Sequence, residues 1–200
     1  MIVKKLVVSM LLLVILCACS GGEGQSEPSV PESGALTITF HYEKQSGYAS
    51  NQFAVWMEDS EGNLVKTLYA TRFTANGGYK NRPDAIPRWV EQSGLSSMRK
   101  SEVDAITGAT PKAGTVSYAW DLTDKDGNAV APGEYKFVVE GSLRWKNRVL
   151  YTGIIDTSGS AATVQGEAEY FYEESSDSPA LSGDASENAM IGDVKAIWNP

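Results

Sequence analysis

The chain has few residues that do chemistry on their own. It contains two cysteines and one histidine, and both cysteines, Cys17 and Cys19, lie near the N-terminus. The rest of the chain therefore offers no disulfide, no thiolate metal site and no cysteine nucleophile. We expect His41, on a predicted strand, to be structural or exposed. No Ser-His-Asp set, phosphate loop or zinc-ligand spacing is present, so acid–base catalysis would rest on carboxylates alone and a non-enzymatic protein is favoured.

An excess of positive charge is also lacking. The formal net charge is −8, which argues against nucleic acid as a partner. The charge is unevenly distributed, because the segment from Arg72 to Lys112 has an excess of basic residues: Arg72, Lys80, Arg82, Arg88, Arg99, Lys100 and Lys112. We expect either a solvated face or a surface for an anionic group there.

The N-terminus has the three parts of an export signal. Lys4 and Lys5 precede an apolar run over residues 6–16, which ends in Leu16-Cys17-Ala18-Cys19. The run is too short to span a bilayer stably, so it predicts a cleaved signal rather than a membrane helix.

The closing tetrapeptide resembles the bacterial lipobox. That resemblance implies cleavage before Cys19 and a diacylglyceryl thioether on its sulfur, with residues 1–18 as the signal peptide. The alternative is an ordinary signal with a chance cysteine. Residues 19–34, rich in Gly, Ser, Glu and Pro, are predicted to be a flexible tether between membrane and domain. Ser20 is not the aspartate that retains lipoproteins at the inner membrane, so an outer-membrane location is slightly favoured.

Residues 35–200 are predicted to form one β-sandwich domain. Alternating apolar residues from Leu36 to Tyr42 indicate a strand, and residues 51–58 and 64–71 flank a hairpin-type turn. Further strands are predicted around residues 116–122, 135–139, 149–155, 162–172 and 191–198, with Trp56, Trp120 and Trp198 in the core. Residues 73–110 are expected to be a long, mostly irregular and functional loop with one short helix over residues 86–92. The fold class is thus all-β, an antiparallel sandwich.

Two resemblances support this fold. Residues 114–141, with Trp120-Asp121, Asp126-Gly127-Asn128 and Pro132-Gly133-Glu134-Tyr135, resemble the immunoglobulin-like repeat of the flagellar hook-capping protein, which implies an immunoglobulin-like sandwich and a hairpin at Trp120. Motifs along most of the mature chain, among them Val55-Trp56-Met57-Glu58-Asp59, Arg88-Trp89 and the segment 104–110, resemble a family of predicted periplasmic proteins of unknown function. That family occurs alongside membrane redox proteins.

The segment Asp104-Ala105-Ile106-Thr107-Gly108-Ala109-Thr110 resembles the flavinylation motif of FMN-carrying respiratory subunits. The resemblance implies that Thr110 is the acceptor of the flavin phosphate, Asp104 the acidic position, and Thr107, Gly108 and Ala109 a tight turn. A threonine hydroxyl is a weak nucleophile, so a separate flavin transferase would be needed. Lys112, Lys100 and Arg99 are candidate phosphate partners, and Trp89 or Tyr79 candidate stacking partners.

The same residues are also common turn formers, and Pro111 stiffens the position after the proposed acceptor. Two hypotheses therefore stay open. The first is a lipid-anchored sandwich that carries FMN for extracytoplasmic electron transfer, with a membrane redox protein as partner. The second is a non-catalytic binding or assembly module of the envelope. Asp124 and Asp126 are interpreted as turn residues rather than calcium ligands, because Leu122 occupies the first ligand position of such a loop.

Overall fold

The computed structural model describes residues 34–45, 51–144, 147–171 and 190–200. The predictions for the signal peptide, Cys19 and the tether up to residue 33 lie outside them. The described residues form ten strands: β1 Ala35–Tyr42, β2 Phe53–Glu58, β3 Leu64–Thr71, β4 Thr107–Gly108, β5 Gly114–Trp120, β6 Glu134–Arg144, β7 Asn147–Asp156, β8 Ala162–Gln165, β9 Glu167–Phe171 and β10 Ile191–Asn199. None of the helices described is long and apolar enough to cross a membrane.

The strands form two sheets that enclose the main core. One sheet has the order β5-β1-β10-β8 and the other the order β4-β3-β2-β6-β7-β9. Neighbouring strands are antiparallel except β3 and β4, which pair in parallel. The predicted period of two in β1 is confirmed, because Leu36, Ile38, Phe40 and Tyr42 all lie in this core. The predicted all-β sandwich of immunoglobulin-like architecture is thus confirmed.

A second apolar cluster covers the outer face of the six-stranded sheet. Side chains from that face, including Trp56 and Val138, pack against Ile86, Trp89 and Val103 from the segment that follows β3. We call residues 72–113 the insertion. Burying this face is what holds the insertion to the domain.

The prediction that the insertion is mostly irregular is wrong. It contains three short helices, α1 Arg72–Ala75, α2 Pro87–Ser93 and α3 Lys100–Ile106, and 3-10 turns at Gly78–Lys80 and Leu95–Ser97. Only α2 matches the predicted helix at residues 86–92. Helices of four to seven residues contain too few turns to show a helical period in the sequence, and they are stabilised by packing on the sheet rather than by their own propensity.

The expected hairpin between Trp120 and Tyr135 is also wrong. β5 pairs with β1, whereas β6 pairs with β2 and β7 in the other sheet. The connection therefore crosses from one sheet to the other, with a single bridge between Thr123 and Ala129. The Trp120 and Tyr135 rings meet edge to face at 4.8 Å across the sandwich, so the two strands share core contacts but no hydrogen bonds of a ladder.

The strand predicted over residues 162–172 is divided at Gly166. β8 pairs with β10 in one sheet, and β9 pairs with β7 in the other. A Cβ at position 166 would lie 3.3 Å from the Val194 side chain, so the chain changes sheets where the residue is smallest. The three tryptophans predicted for the interior, Trp56, Trp120 and Trp198, are all buried, as expected.

The insertion emerges at one end of the sandwich. Tyr42 at the end of β1 pairs with Gly114 at the start of β5, and β3 ends beside the first residues of β2. This arrangement places the segment with the proposed acceptor, residues 107–110, at that end.

Candidate functional site

The proposed acceptor follows directly from the edge of the six-stranded sheet. α3 leads into β4, where Thr107 pairs with Ala70 and Gly108 with Thr71. The expectation of a tight turn over residues 107–109 is wrong, because residues 107 and 108 are extended and belong to the sheet. Thr and Gly are common turn formers, but here the parallel pairing with β3 supplies hydrogen-bond partners for the backbone that a turn would not have.

A glycine is needed at position 108 for a different reason from the tight turn that we expected. Gly108 is not among the glycines with a left-handed backbone; instead it packs against a ring. A Cβ at position 108 would lie 2.8 Å from Cε2 of Tyr69. The hydroxyl of Tyr69 donates a hydrogen bond of 3.0 Å to the carbonyl oxygen of Ala109. Tyr69 therefore fixes the backbone of the segment immediately before Thr110.

The residues of the motif differ in exposure. Thr110, Ala109, Asp104 and Lys112 are exposed, whereas Thr107 and Gly108 are half-buried beside β3. The motif thus begins on the exposed side of α3, passes along the sheet edge, and returns to solvent at Thr110. Thr110 is therefore accessible from solvent, directly after a segment whose backbone is fixed by Tyr69.

Behind this segment lies a chain of aromatic rings that reaches into the core. The Tyr69 ring lies 4.8 Å from that of Tyr118 and 4.9 Å from that of Phe53. Burial raises the pKa of Tyr69 to about 12, with a further rise from Tyr42 and an opposing effect of Arg72. Burial likewise raises the pKa of Tyr118. At neutral pH these hydroxyls are protonated, and Tyr69 acts as a hydrogen-bond donor.

Several predicted partners of the acceptor are already engaged elsewhere. Trp89 is fully buried and its Nε1 donates to Oγ1 of Thr67 at 3.1 Å, so stacking of Trp89 on a flavin is excluded. Arg99 bonds Glu102 within the capping box of α3 at 2.8 Å. Tyr79 is half-buried against the second cluster, with the ammonium of Lys80 5.8 Å from its ring centre. Lys100 and Lys112 are exposed.

A network of buried charges, absent from the sequence predictions, attaches the insertion to the sheet. Glu58 and Glu140 are both fully buried on the outer face of the six-stranded sheet. Glu58 accepts from Nε1 of Trp56 at 2.9 Å and pairs with Arg88 at 2.9 Å and Lys136 at 2.7 Å. One carboxylate thus joins the sheet to α2.

Glu140 makes a second attachment to the same helix. Its carboxylate accepts from the backbone N–H groups of Arg88 at 3.3 Å and Trp89 at 2.9 Å, and it pairs with Arg148 at 2.9 Å. The side chain of Ile86, the residue before α2, cannot accept a hydrogen bond from the N-terminus of the helix. The carboxylate of Glu140 on β6 accepts those hydrogen bonds instead. Burial raises the pKa of Glu140, whereas the Trp89 N–H and Arg148 lower it. The only sequence signal was a glutamate two residues after the apolar Val138.

No cluster of three or more His, Cys, Asp or Glu side chains suited to a metal ion occurs within the described ranges.

A comparison with protein-family models gives one match, to predicted periplasmic proteins designated DUF2271, over residues 35–173. The chain belongs to this family. No curated protein and no solved structure matches the chain significantly. The match runs from β1 to β9 and includes the whole insertion. The segment with the proposed acceptor, residues 107–110 (the acceptor segment), and the buried carboxylates of Glu58 and Glu140 are therefore parts of the DUF2271 domain. The periplasmic description of the family agrees with a location beyond the cytoplasmic membrane.

In this DUF2271 domain the contact between Gly108 and Tyr69 leads to a prediction about stability. We expect Gly108→Ala to lower the free energy of unfolding by about 1–3 kcal/mol, because the added methyl group overlaps the Tyr69 ring and forces the ring or β4 to move. Urea unfolding followed by tryptophan fluorescence measures this change. Gly133→Ala is the matched control, since a Cβ at position 133 meets nothing within 4 Å. Equal losses in the two variants would refute the close packing of Gly108.

Proposed function

We propose that this DUF2271 protein is a lipid-anchored protein of the cell envelope that carries FMN on Thr110 and passes electrons outside the cytoplasm. The observation that carries the proposal is the position of Thr110, exposed directly after a segment that Tyr69 holds by a ring contact and a hydrogen bond. The resemblance of residues 104–110 to a flavinylation motif and the exposure of the Thr110 hydroxyl both support the proposal.

The attachment would be made by another enzyme. The threonine oxygen forms an ester bond with the flavin phosphorus of flavin adenine dinucleotide, the phosphoanhydride bond breaks, and adenosine monophosphate leaves with the threonine proton. No oxidant or reductant is needed for this exchange. A threonine hydroxyl is not ionised at neutral pH, so the transferase must supply the base and the metal that activate the reaction.

The residues present fit such a modification. Ala109 and half-buried Gly108 leave little side-chain bulk before the acceptor, and β4 limits motion of the backbone. Exposed Lys112 provides a positive charge two residues after Thr110 that favours a phosphodiester anion. When bound, FMN would supply one- and two-electron chemistry, and this chain's own residues would hold it at the surface.

The membrane anchor belongs to the same proposal. A lipid on Cys19, joined by residues 20–34 to the first strand, would hold the domain near a membrane redox protein. Electron exchange with such a partner requires the carrier to be exposed, which agrees with the position of Thr110.

Mass spectrometry of protein co-expressed with a flavin transferase tests the proposal. We expect the mature chain to gain the mass of one FMN minus one water and to become yellow, because one ester bond forms on one hydroxyl. The Thr110→Ala variant should lose both signals. Thr115→Ala removes an equally exposed threonine from β5 and should keep them.

Two outcomes would contradict the proposal: an unmodified wild-type chain in the presence of an active transferase, or a flavin that persists in Thr110→Ala. A colourless chain would leave the non-catalytic binding module as the remaining hypothesis.

A further inference from the structure

The helix α1, which carries two exposed side chains, lies against β4 just before Thr110. Thr71, the last residue of β3, is the register partner of Gly108 in β4, and the two strands are parallel. The chains therefore leave the sheet in the same direction, with Arg72 and Phe73 on one side and residues 109–110 on the other. α1 also lies against β4.

Arg72 is an exposed cation at the start of α1. Its guanidinium acts to lower the pKa of Tyr69, and the Tyr69 hydroxyl in turn bonds the carbonyl of Ala109. Two other basic residues of the insertion have different contacts: Arg99 pairs with Glu102, and Lys80 lies over the Tyr79 ring. Arg72 is thus the arginine best placed for an anion at residue 110.

Phe73 is an exposed aromatic ring that is fixed on one side. It is 48% exposed, and the other large hydrophobic side chain described as exposed is Ile154, on β7. The ring rests on Gly78, where a Cβ would lie 2.6 Å from Cε1 of Phe73 and 2.4 Å from its carbonyl oxygen. A glycine is therefore required under the ring. The fixed ring offers apolar surface to solvent at little further cost in conformational entropy.

We propose that Arg72 and Phe73 form the surface that receives the FMN of Thr110, with Arg72 bonding the phosphodiester and Phe73 contacting the isoalloxazine ring. This inference rests on the proposed function. Arginine suits the phosphate because its planar fork donates two hydrogen bonds at once. An aromatic ring suits the flavin because offset stacking of two π systems is favourable. The flavin would then be held against the domain rather than free in solvent.

Fluorescence of the flavinylated protein tests this surface. A flavin stacked on a ring tumbles with the protein, so we expect Phe73→Ala to lower the anisotropy of the flavin emission. In Phe73→Ala the ratio of flavin docked on the domain to flavin free in solvent should fall roughly twofold to tenfold. We expect Arg72→Ala to act in the same direction, and Arg72→Lys to restore only part of the effect, because lysine keeps the charge but not the fork.

The controls match each change in kind. Ile154→Ala removes the other exposed apolar side chain, and Lys80→Ala removes one exposed positive charge from the same insertion. Both should keep the flavin anisotropy of the wild-type protein. Flavinylated Arg72 and Phe73 variants with wild-type anisotropy would overturn this inference and leave the modification of Thr110 intact. Absence of the FMN mass from the wild-type chain would overturn the proposed function and this inference with it.

Discussion

Replacing Glu140 with alanine is expected to lower the free energy of unfolding by about 3–5 kcal/mol, because it breaks a buried ion pair from one side. The variant leaves Arg148 without its carboxylate partner and the N–H groups of Arg88 and Trp89 without an acceptor. It also opens a cavity beneath α2. The loss should appear as a lower urea midpoint, with earlier hydrogen exchange in the insertion than in β1.

Glu134→Ala is the matched control on the same strand. Glu134 is exposed and its register partner is Asp156, also acidic, so its removal should change the free energy of unfolding by less than about 0.5 kcal/mol. A Glu140→Ala variant as stable as Glu134→Ala would contradict the assignment of Glu140 as the residue that caps α2.

Alkaline pH is expected to destabilise the protein well before general denaturation, because three wholly or partly buried tyrosines resist ionisation. Burial raises the pKa of Tyr69 to about 12, from its ordinary value of 10.0, and also raises the pKa values of Tyr118 and Tyr151. The unfolded chain thus loses these protons near pH 10, whereas the folded chain keeps them. The stability is fully present below pH 10 and falls as the pH rises through the folded values.

The expected size follows from linkage. Tyr69 alone contributes a loss of roughly 1 kcal/mol between pH 10 and 11, and three such tyrosines roughly 3 kcal/mol. Urea unfolding at pH 8, 10 and 11 measures the loss, and tyrosinate absorbance reports ionisation directly. In Tyr69→Phe the slope should decrease by about one third while the neutral-pH stability falls slightly. An unchanged slope in that variant would contradict the burial of the Tyr69 hydroxyl.

Several strands were predictable from the sequence. β1, β2, β3, β7 and β10 lie within a few residues of their predicted bounds, because β1 alternates apolar and polar residues and the others are short apolar runs bounded by turn residues. The pairing of those strands was less predictable. The expected Trp120 hairpin failed because a local turn at Asp124 does not specify which sheet the following strand joins.

The candidate site shows the same division. The motif at residues 104–110 and the excess of basic residues around it were visible in the sequence, and so was the length of the segment between β3 and β5. Neither the pairing of β4 with β3 nor the contact between Gly108 and Tyr69 was visible, because each joins residues about 40 positions apart. The choice of Trp89 as a stacking partner failed because an aromatic residue in a loop-like segment turned out to cover the sheet.

The sequence by itself indicated a β-sandwich with one long inserted segment and a lipobox-like N-terminus, since periodicity, composition and short motifs are local properties. Only the tertiary structure decided that the segment is helical, that Glu58 and Glu140 attach it, and that α1, which carries Arg72 and Phe73, lies against β4. Those features depend on which distant side chains share a buried environment. Burial determines the free energy of a charge, a ring or a glycine far more than its neighbours in the chain do.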